Sequence, residues 1–234
     1  MTVPMTENKA REEICRIGAS LFSRGYVHAT AGNISIRLPN DGGFLITPTD
    51  ACMGFLDPAR LAKLDVNGQQ LSGDRASKTI ELHRRIYQST ELANIPTSCV
   101  LHTHSTYCVL ATLESNTNQD RIKFSGELLP PITPYFVMKV GHVPVIDYGR
   151  PGALEVAQQV ESTISSFGKR GLVLRAVMLN RLGPTVWHDS PASAMALLEE
   201  LEETAKLMHL ANRSISPLSE SQIEELRSSF GASW

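Results

Sequence analysis

Apolar positions recur along this chain first at helical spacing and then in alternation, and the changes of spacing mark its elements. From Glu7 to Arg24, Ile14, Ile17, Leu21 and Phe22 fall on one helical face, and Gly25 supplies the stop. After a Gly/Thr/Ala stretch, "NISIRL" (33–38) alternates like a half-buried strand. "NDGG" (40–43) is a turn, and "FLIT" (44–47) returns as a second strand. Asp57 as N-cap and Pro58 at the first helical position predict a short helix in "DPARLAKLD" (57–65). Asn67-Gly68 predicts a hairpin in "DVNGQQLSG" (65–73).

Ser77 to Ser89 has helical spacing, "SCVLH" (98–102) is a buried strand, and "STYCVLATL" (105–113) is a helix behind it. "GALEVAQQVESTISSFG" (152–168) is a helix ended by Gly168, while "GLVLRAVMLN" (171–180) and "GPTVWH" (183–188) pair as late strands. Ser190 and Pro191 open the long helix "ASAMALLEELEETAKLMHLAN" (192–212), and Ser219 with Gln222 has the spacing of a capping box for a last one. Strands and helices mix without a strict βαβ rhythm. The expectation is one α/β domain over residues 9–230, a largely antiparallel central sheet flanked by helices, after a flexible tail at residues 1–8.

Composition narrows the function. The chain has 234 residues, 42% hydrophobic and 20% charged, with a net charge of -2. No lysine- or arginine-rich block argues for a nucleic-acid partner. The N-terminus has no apolar core of a signal peptide, and no stretch approaches the ~20 apolar residues of a membrane span. Cys15, Cys52, Cys99 and Cys108 form no CxxC pair and read as reduced apolar fillers. A soluble cytoplasmic protein is expected.

His102 and His104 interrupt the apolar run at 98–109. Residues i and i+2 of a strand share a face, so both rings can converge on one ion. Imidazole suits zinc and neighbouring metals, and catalytic zinc usually has three protein ligands plus water. On spacing alone, hydrogen-bonded histidines at a strand end are the more ordinary reading.

The order of motifs resembles the class II aldolase/adducin family. The matching pieces are "AGNISIR" (31–37), "LITPT" (45–49), "SK" before "LHRRIY" (77–87), "VLHTHS" (100–105), "LNRLGPTV" (179–186) and "EELEETAKL" (199–207). "SGD" and "ITPYFVMKVGHVPVIDYGRPG" are most similar to its sugar-acid branch, the 3-oxo-tetronate 4-phosphate decarboxylases. The resemblance implies a carbon–carbon lyase acting on a small phosphorylated sugar acid. It implies a divalent metal, zinc first and manganese or cobalt otherwise, held by His102 and His104. It also implies a homotetramer and phosphate binding by Asn33, Thr49, Ser77 and Lys78. A Lewis acid on a carbonyl stabilises the enediolate left when the adjacent C–C bond breaks. Ser77, at an expected helix start, suits an oxyanion; on the residues alone, a helix cap and a solvated lysine are the safer reading.

The pattern is broken at three places. Asp50 follows "TPT" where many relatives have glycine; aspartate tolerates a left-handed backbone, but its charge opposes an anion. Thr79 stands where the family's acid/base glutamate is expected. Glu81, two residues on, is about 200° further round an ideal helix and is a candidate only if the helix starts late or is displaced. The family's third histidine ligand comes from an "NHG" turn, which here reads Asn180-Arg181-Leu182-Gly183. Arginine cannot ligate, although Arg181 is a candidate for holding a substrate carboxylate or phosphate. His83, His142, His188 and His209 are the other donors considered.

Loss of the glutamate favours decarboxylation over aldol cleavage, which must also remove a hydroxyl proton. The alternatives are a class II aldolase on fuculose- or ribulose-type phosphates and a catalytically degenerate, adducin-like scaffold. A two-histidine iron oxygenase is disfavoured, because no carboxylate stands at facial-triad spacing.

Overall fold

The computed structural model describes residues 5–39, 42–117 and 127–234. The helices are α1 (Glu7–Ser23), α2 (Ile80–Leu92), α3 (Thr106–Thr117), α4 (Leu154–Lys169), α5 (Pro191–Leu210) and α6 (Glu220–Phe230). The strands are β1 (Asn33–Arg37), β2 (Phe44–Ile46), β3 (Ala62–Leu64), β4 (Gln70–Ser72), β5 (Cys99–His102), β6 (Val145–Ile146), β7 (Ala176–Leu179) and β8 (Gly183–His188). They form one sheet in the order β4-β3-β2-β1-β5-β8-β7-β6. Every pairing is antiparallel except the parallel β6–β7 pair at one edge.

Period-two alternation distributes the strands between two apolar layers. Ile34, Ile36, Leu101 and Met178 pack with Ile14 and Ile17 of α1, Ala111 of α3 and Leu201 of α5. Phe44, Ile46, Val100 and Trp187 face the other way, onto Ile86 of α2 and Val160 and Ile164 of α4. The sheet is therefore covered on both faces, as the mixed pattern predicted.

Several caps read from sequence are formed. Ser190 accepts the Ser193 N–H at 3.1 Å, and the Ser219–Gln222 capping box is complete. Asn67-Gly68 lies between β3 and β4, as the hairpin expectation required.

Other expectations are corrected. "DPARLAKLD" is one 3-10 turn (Pro58–Arg60) followed by β3. Asp57 does cap it, accepting the Ala59 N–H at 2.9 Å, but Ala62 and Leu64 are fully buried on the β2 edge while Lys63 points away. Sheet pairing thus overrides the helix-start signal. Gly168 does not end α4, which runs to Lys169; the left-handed backbone comes at Gly171. A π-helical turn (Phe136–Val140) and β6 occupy a stretch for which no element was expected. Glu7 and Asn8, assigned to the tail, belong to the first turn of α1; residues 1–4 lie outside the described residues, as do Asn40 and Asp41 of the expected "NDGG" turn.

Candidate metal and phosphate site

The register of three strands builds the site. Asn33 on β1 lies opposite His102 on β5, and His102 lies opposite Thr185 on β8, so the three residues form a row across the sheet. His102 shares the parity of Val100 and faces the α2/α4 layer, above the strand's apolar residues.

His102 Nδ1 is 2.9 Å from the Pro184 carbonyl and 3.0 Å from Thr185 Oγ1. A carbonyl only accepts, so Nδ1 carries the proton and Nε2 keeps its lone pair. Burial pulls the pKa of His102 down to about 3, with neighbouring His104 a further cause. His104 is also lowered, by burial first and then by His28. Their ring centroids are 5.1 Å apart at an interplanar angle of 67°. Both rings are thus neutral at ordinary pH, the form that can donate to a metal. Gly183, at φ +108°, lets the turn before β8 press against this segment: a Cβ there would come within 2.5 Å of the Thr103 carbonyl.

A cleft of about 220 Å³ opens over these rings. Asn33, Thr49, Ser77, Lys78, His102 and His104 all line it, so the structure brings the six predicted metal and phosphate residues together. Ser77 is buried. Its Oγ lies 2.9 Å from Thr79 Oγ1 and accepts the Thr79 N–H at 3.3 Å, while Thr79 itself precedes the first turn of α2. Asp50 adopts φ +57°, and its carboxylate sits 3.6 Å from Lys78 Nζ. The acidic residue that opposed an anion is therefore partly offset by the lysine meant to attract one.

The two remaining candidates fare differently. Glu81 lines the cleft, but it accepts Arg84 Nε at 2.9 Å and Arg85 Nε at 2.6 Å. The Arg84 hydrogen bond, above all, lowers its pKa, which makes it a weak base. Arg181 is not brought into the cleft. It takes φ +66°, its N–H donates to Thr112 Oγ1 at 3.0 Å, its side chain is exposed, and Leu182 lines the wall instead.

The other histidines considered are engaged away from the rings: His142 with Glu127, His188 with Asp189 and His209 with Glu114. His83 is buried beneath Asn33. Among the described residues, no group of three or more His, Cys, Asp or Glu converges. The donor set fits a cation held by two imidazoles and does not fit a three-histidine centre.

Arg150 was missed. It lines the cleft, and its guanidinium has no hydrogen-bond or ion-pair partner among the described residues. Gly152, at φ +80°, lays the Arg150 loop directly on Lys78: a Cβ there would meet the Lys78 carbonyl at 2.7 Å. The signal in the sequence was an arginine in the tight "GRPG" turn before α4.

Residues 12–209 match the family described as the Class II Aldolase and Adducin N-terminal domain. The chain is 48% identical over 236 residues to the 3-oxo-tetronate 4-phosphate decarboxylase of Cupriavidus necator, covering 98% of this chain and 99% of that protein. It is 30% identical over 200 residues to an L-fuculose phosphate aldolase of Methanococcus maripaludis, covering 86% and 94%. The crystal structure of YgbL from Escherichia coli superposes with a TM-score of 0.79 at 36% identity, covering 94% of this chain and 99% of that one.

Proposed function

The chain belongs to the class II aldolase and adducin family, and we propose that it is a metal-dependent carbon–carbon lyase that decarboxylates a 3-oxo-tetronate 4-phosphate to a ketose phosphate and carbon dioxide. One observation carries this reading: the two neutral imidazoles share a single cleft with a set of oxyanion donors.

The proposed substrate has a phosphate at one end and a carboxylate at the other. Asn33, Thr49, Ser77 and Lys78 bind the phosphate, aided by the free N–H groups at the start of α2. Arg150 adds a second full positive charge, uncommitted to any protein group among the described residues, which matches a doubly charged ligand. A divalent cation on His102 and His104 supplies a Lewis acid for the ketone. We assign zinc, with manganese or cobalt as the alternatives, because imidazole donors suit these ions. A cytoplasmic homotetramer completes the reading, on family resemblance alone.

Decarboxylation fits the residues present. The bond to the carboxyl carbon breaks, its electron pair stays on the adjacent carbon as an enediolate, and a proton later returns to that carbon. No hydroxyl proton has to leave. Aldol cleavage would need a base, yet Thr79 is not one and Glu81 is held by two arginines. A non-catalytic, adducin-like binding protein is the second reading, favoured by the lack of a third metal donor among the described residues.

The deciding experiment supplies 3-oxo-tetronate 4-phosphate to zinc- or manganese-reconstituted protein and measures carbon dioxide and ketose phosphate. Equal release of both supports the proposal. Cleavage into two carbon fragments without carbon dioxide makes the protein an aldolase, and no turnover favours the binding protein.

A further inference from the structure

Behind the cleft wall, four buried polar side chains connect Tyr87 to Asn33. Tyr87 Oη lies 2.7 Å from Ser35 Oγ, Ser35 Oγ lies 2.7 Å from His83 Nδ1, and His83 Nε2 lies 2.5 Å from Asn33 Oδ1. Asn33 and Ser35 are alternate residues of β1 and share its face; His83 and Tyr87 are one turn apart on α2. The relay is thus a product of packing one helix onto one strand.

Its protons can be followed from the far end. Burial raises the Tyr87 pKa well above the usual phenol value, so the hydroxyl keeps its proton and must donate it. Ser35 Oγ at 2.7 Å is the close acceptor; the Ser98 carbonyl is at 3.5 Å, the edge of hydrogen-bond range. Having accepted from Tyr87, Ser35 turns its own proton to His83 Nδ1. Burial holds His83 neutral, with a pKa of about 3, so its single proton lies on Nε2 and is donated to Asn33 Oδ1. That occupies the amide oxygen. Asn33 Nδ2 has no partner among the described residues, and Asn33 lines the cleft.

We propose that Tyr87, Ser35 and His83 are positioning residues that lock the Asn33 side chain with its amide donors toward the cleft, where they meet the oxygens of the substrate phosphate. The inference rests on the phosphate reading above. Wired in the opposite sense, with the His83 proton on Nδ1, the same side chains would turn the Asn33 oxygen outward and repel an anion. No carbonyl oxygen then needs to move on binding, because the donors are already oriented.

Long-range proton–nitrogen NMR of protein labelled with ¹⁵N-histidine reads the wiring without any substrate. The expected result is the Nε2–H tautomer for His83, and the Nδ1–H tautomer overturns the inference. Ser35→Ala and Tyr87→Phe are each expected to raise KM for the phosphorylated substrate about tenfold, with kcat changed by less than about threefold. An unchanged KM in both overturns it.

If the parent turns nothing over, the decarboxylase reading fails, and inorganic phosphate serves as the probe. It is expected to shift the Asn33 side-chain amide resonance. Phosphate that binds without shifting it overturns this inference alone, whereas phosphate that does not bind overturns the phosphate reading with it.

Discussion

His102 donates its Nδ1 proton to the carbonyl of Pro184 at 2.9 Å and thereby presents Nε2 to the cleft. The bond crosses from β5 to β8 and comes from the same register that sets Asn33 on the other side of His102. One strand pairing fixes the tautomer of a candidate ligand, and the neighbouring pairing places a candidate phosphate donor beside it. Thr185 Oγ1 lies 3.0 Å from the same nitrogen and can accept from it as well.

Thr79 lines the cleft at the start of α2, where the family resemblance implies an acid/base glutamate that could also approach the metal. Thr79→Glu is expected to tighten zinc binding by at least about tenfold, measured by calorimetric titration. Equal affinity in parent and variant would show that the missing donor does not belong there.

Asp50 opposes the proposed phosphate binding, because its carboxylate engages Lys78. Its φ of +57° is a conformation that glycine adopts without strain, so the backbone there accepts glycine. Asp50→Gly is expected to lower KM for the phosphorylated substrate about two- to fivefold, the range expected for freeing an exposed pair. A raised KM would mean that Asp50 contacts the substrate favourably.

Arg150 makes no ion pair or side-chain hydrogen bond among the described residues, so its removal should cost little stability. Arg150→Met is expected to raise KM about tenfold while unfolding free energy changes by less than ~0.5 kcal/mol. An unchanged KM would remove Arg150 from the site.

The buried histidines set a pH dependence of stability. Burial lowers the His83 pKa from its ordinary 6.5 in the unfolded chain to about 3 in the folded one. Between those values the unfolded chain binds more protons, so stability falls as pH falls; above about 6.5 the full contribution is present. Each unit costs up to about 1.4 kcal/mol for such a ring. The carboxylates with lowered pKa, such as Glu7 and Glu13, act only below their ordinary 4.5. Metal-free protein is therefore expected to lose at least about 3 °C in Tm between pH 6.5 and 5. A flat Tm there would mean that His83 is not buried in neutral form.

The parts of this site that lie within one element were legible in the sequence. "SCVLH" read as a strand, and β5 does end at His102; His104 lies just beyond it, with its ring still 5.1 Å from that of His102. Asn33, Thr49, Ser77 and Lys78 came from motif order and do share one cleft. What escaped depends on distant packing. Arg150 enters only because Gly152 allows its loop to lie on the Lys78 carbonyl. Arg181 was expected to participate, but its left-handed turn sends Leu182 to the wall. The helix foreseen at 57–65 yielded to β3 because burying Ala62 and Leu64 outweighs a good cap.

On this reading His102 and His104 hold a divalent cation in the cleft. Elemental analysis of protein reconstituted with zinc and exchanged into metal-free buffer tests it, comparing the parent with His102→Ala. We expect about one zinc per chain in the parent and the loss of most of it in the variant. Equal metal in the two proteins, or none in the parent, would contradict the claim.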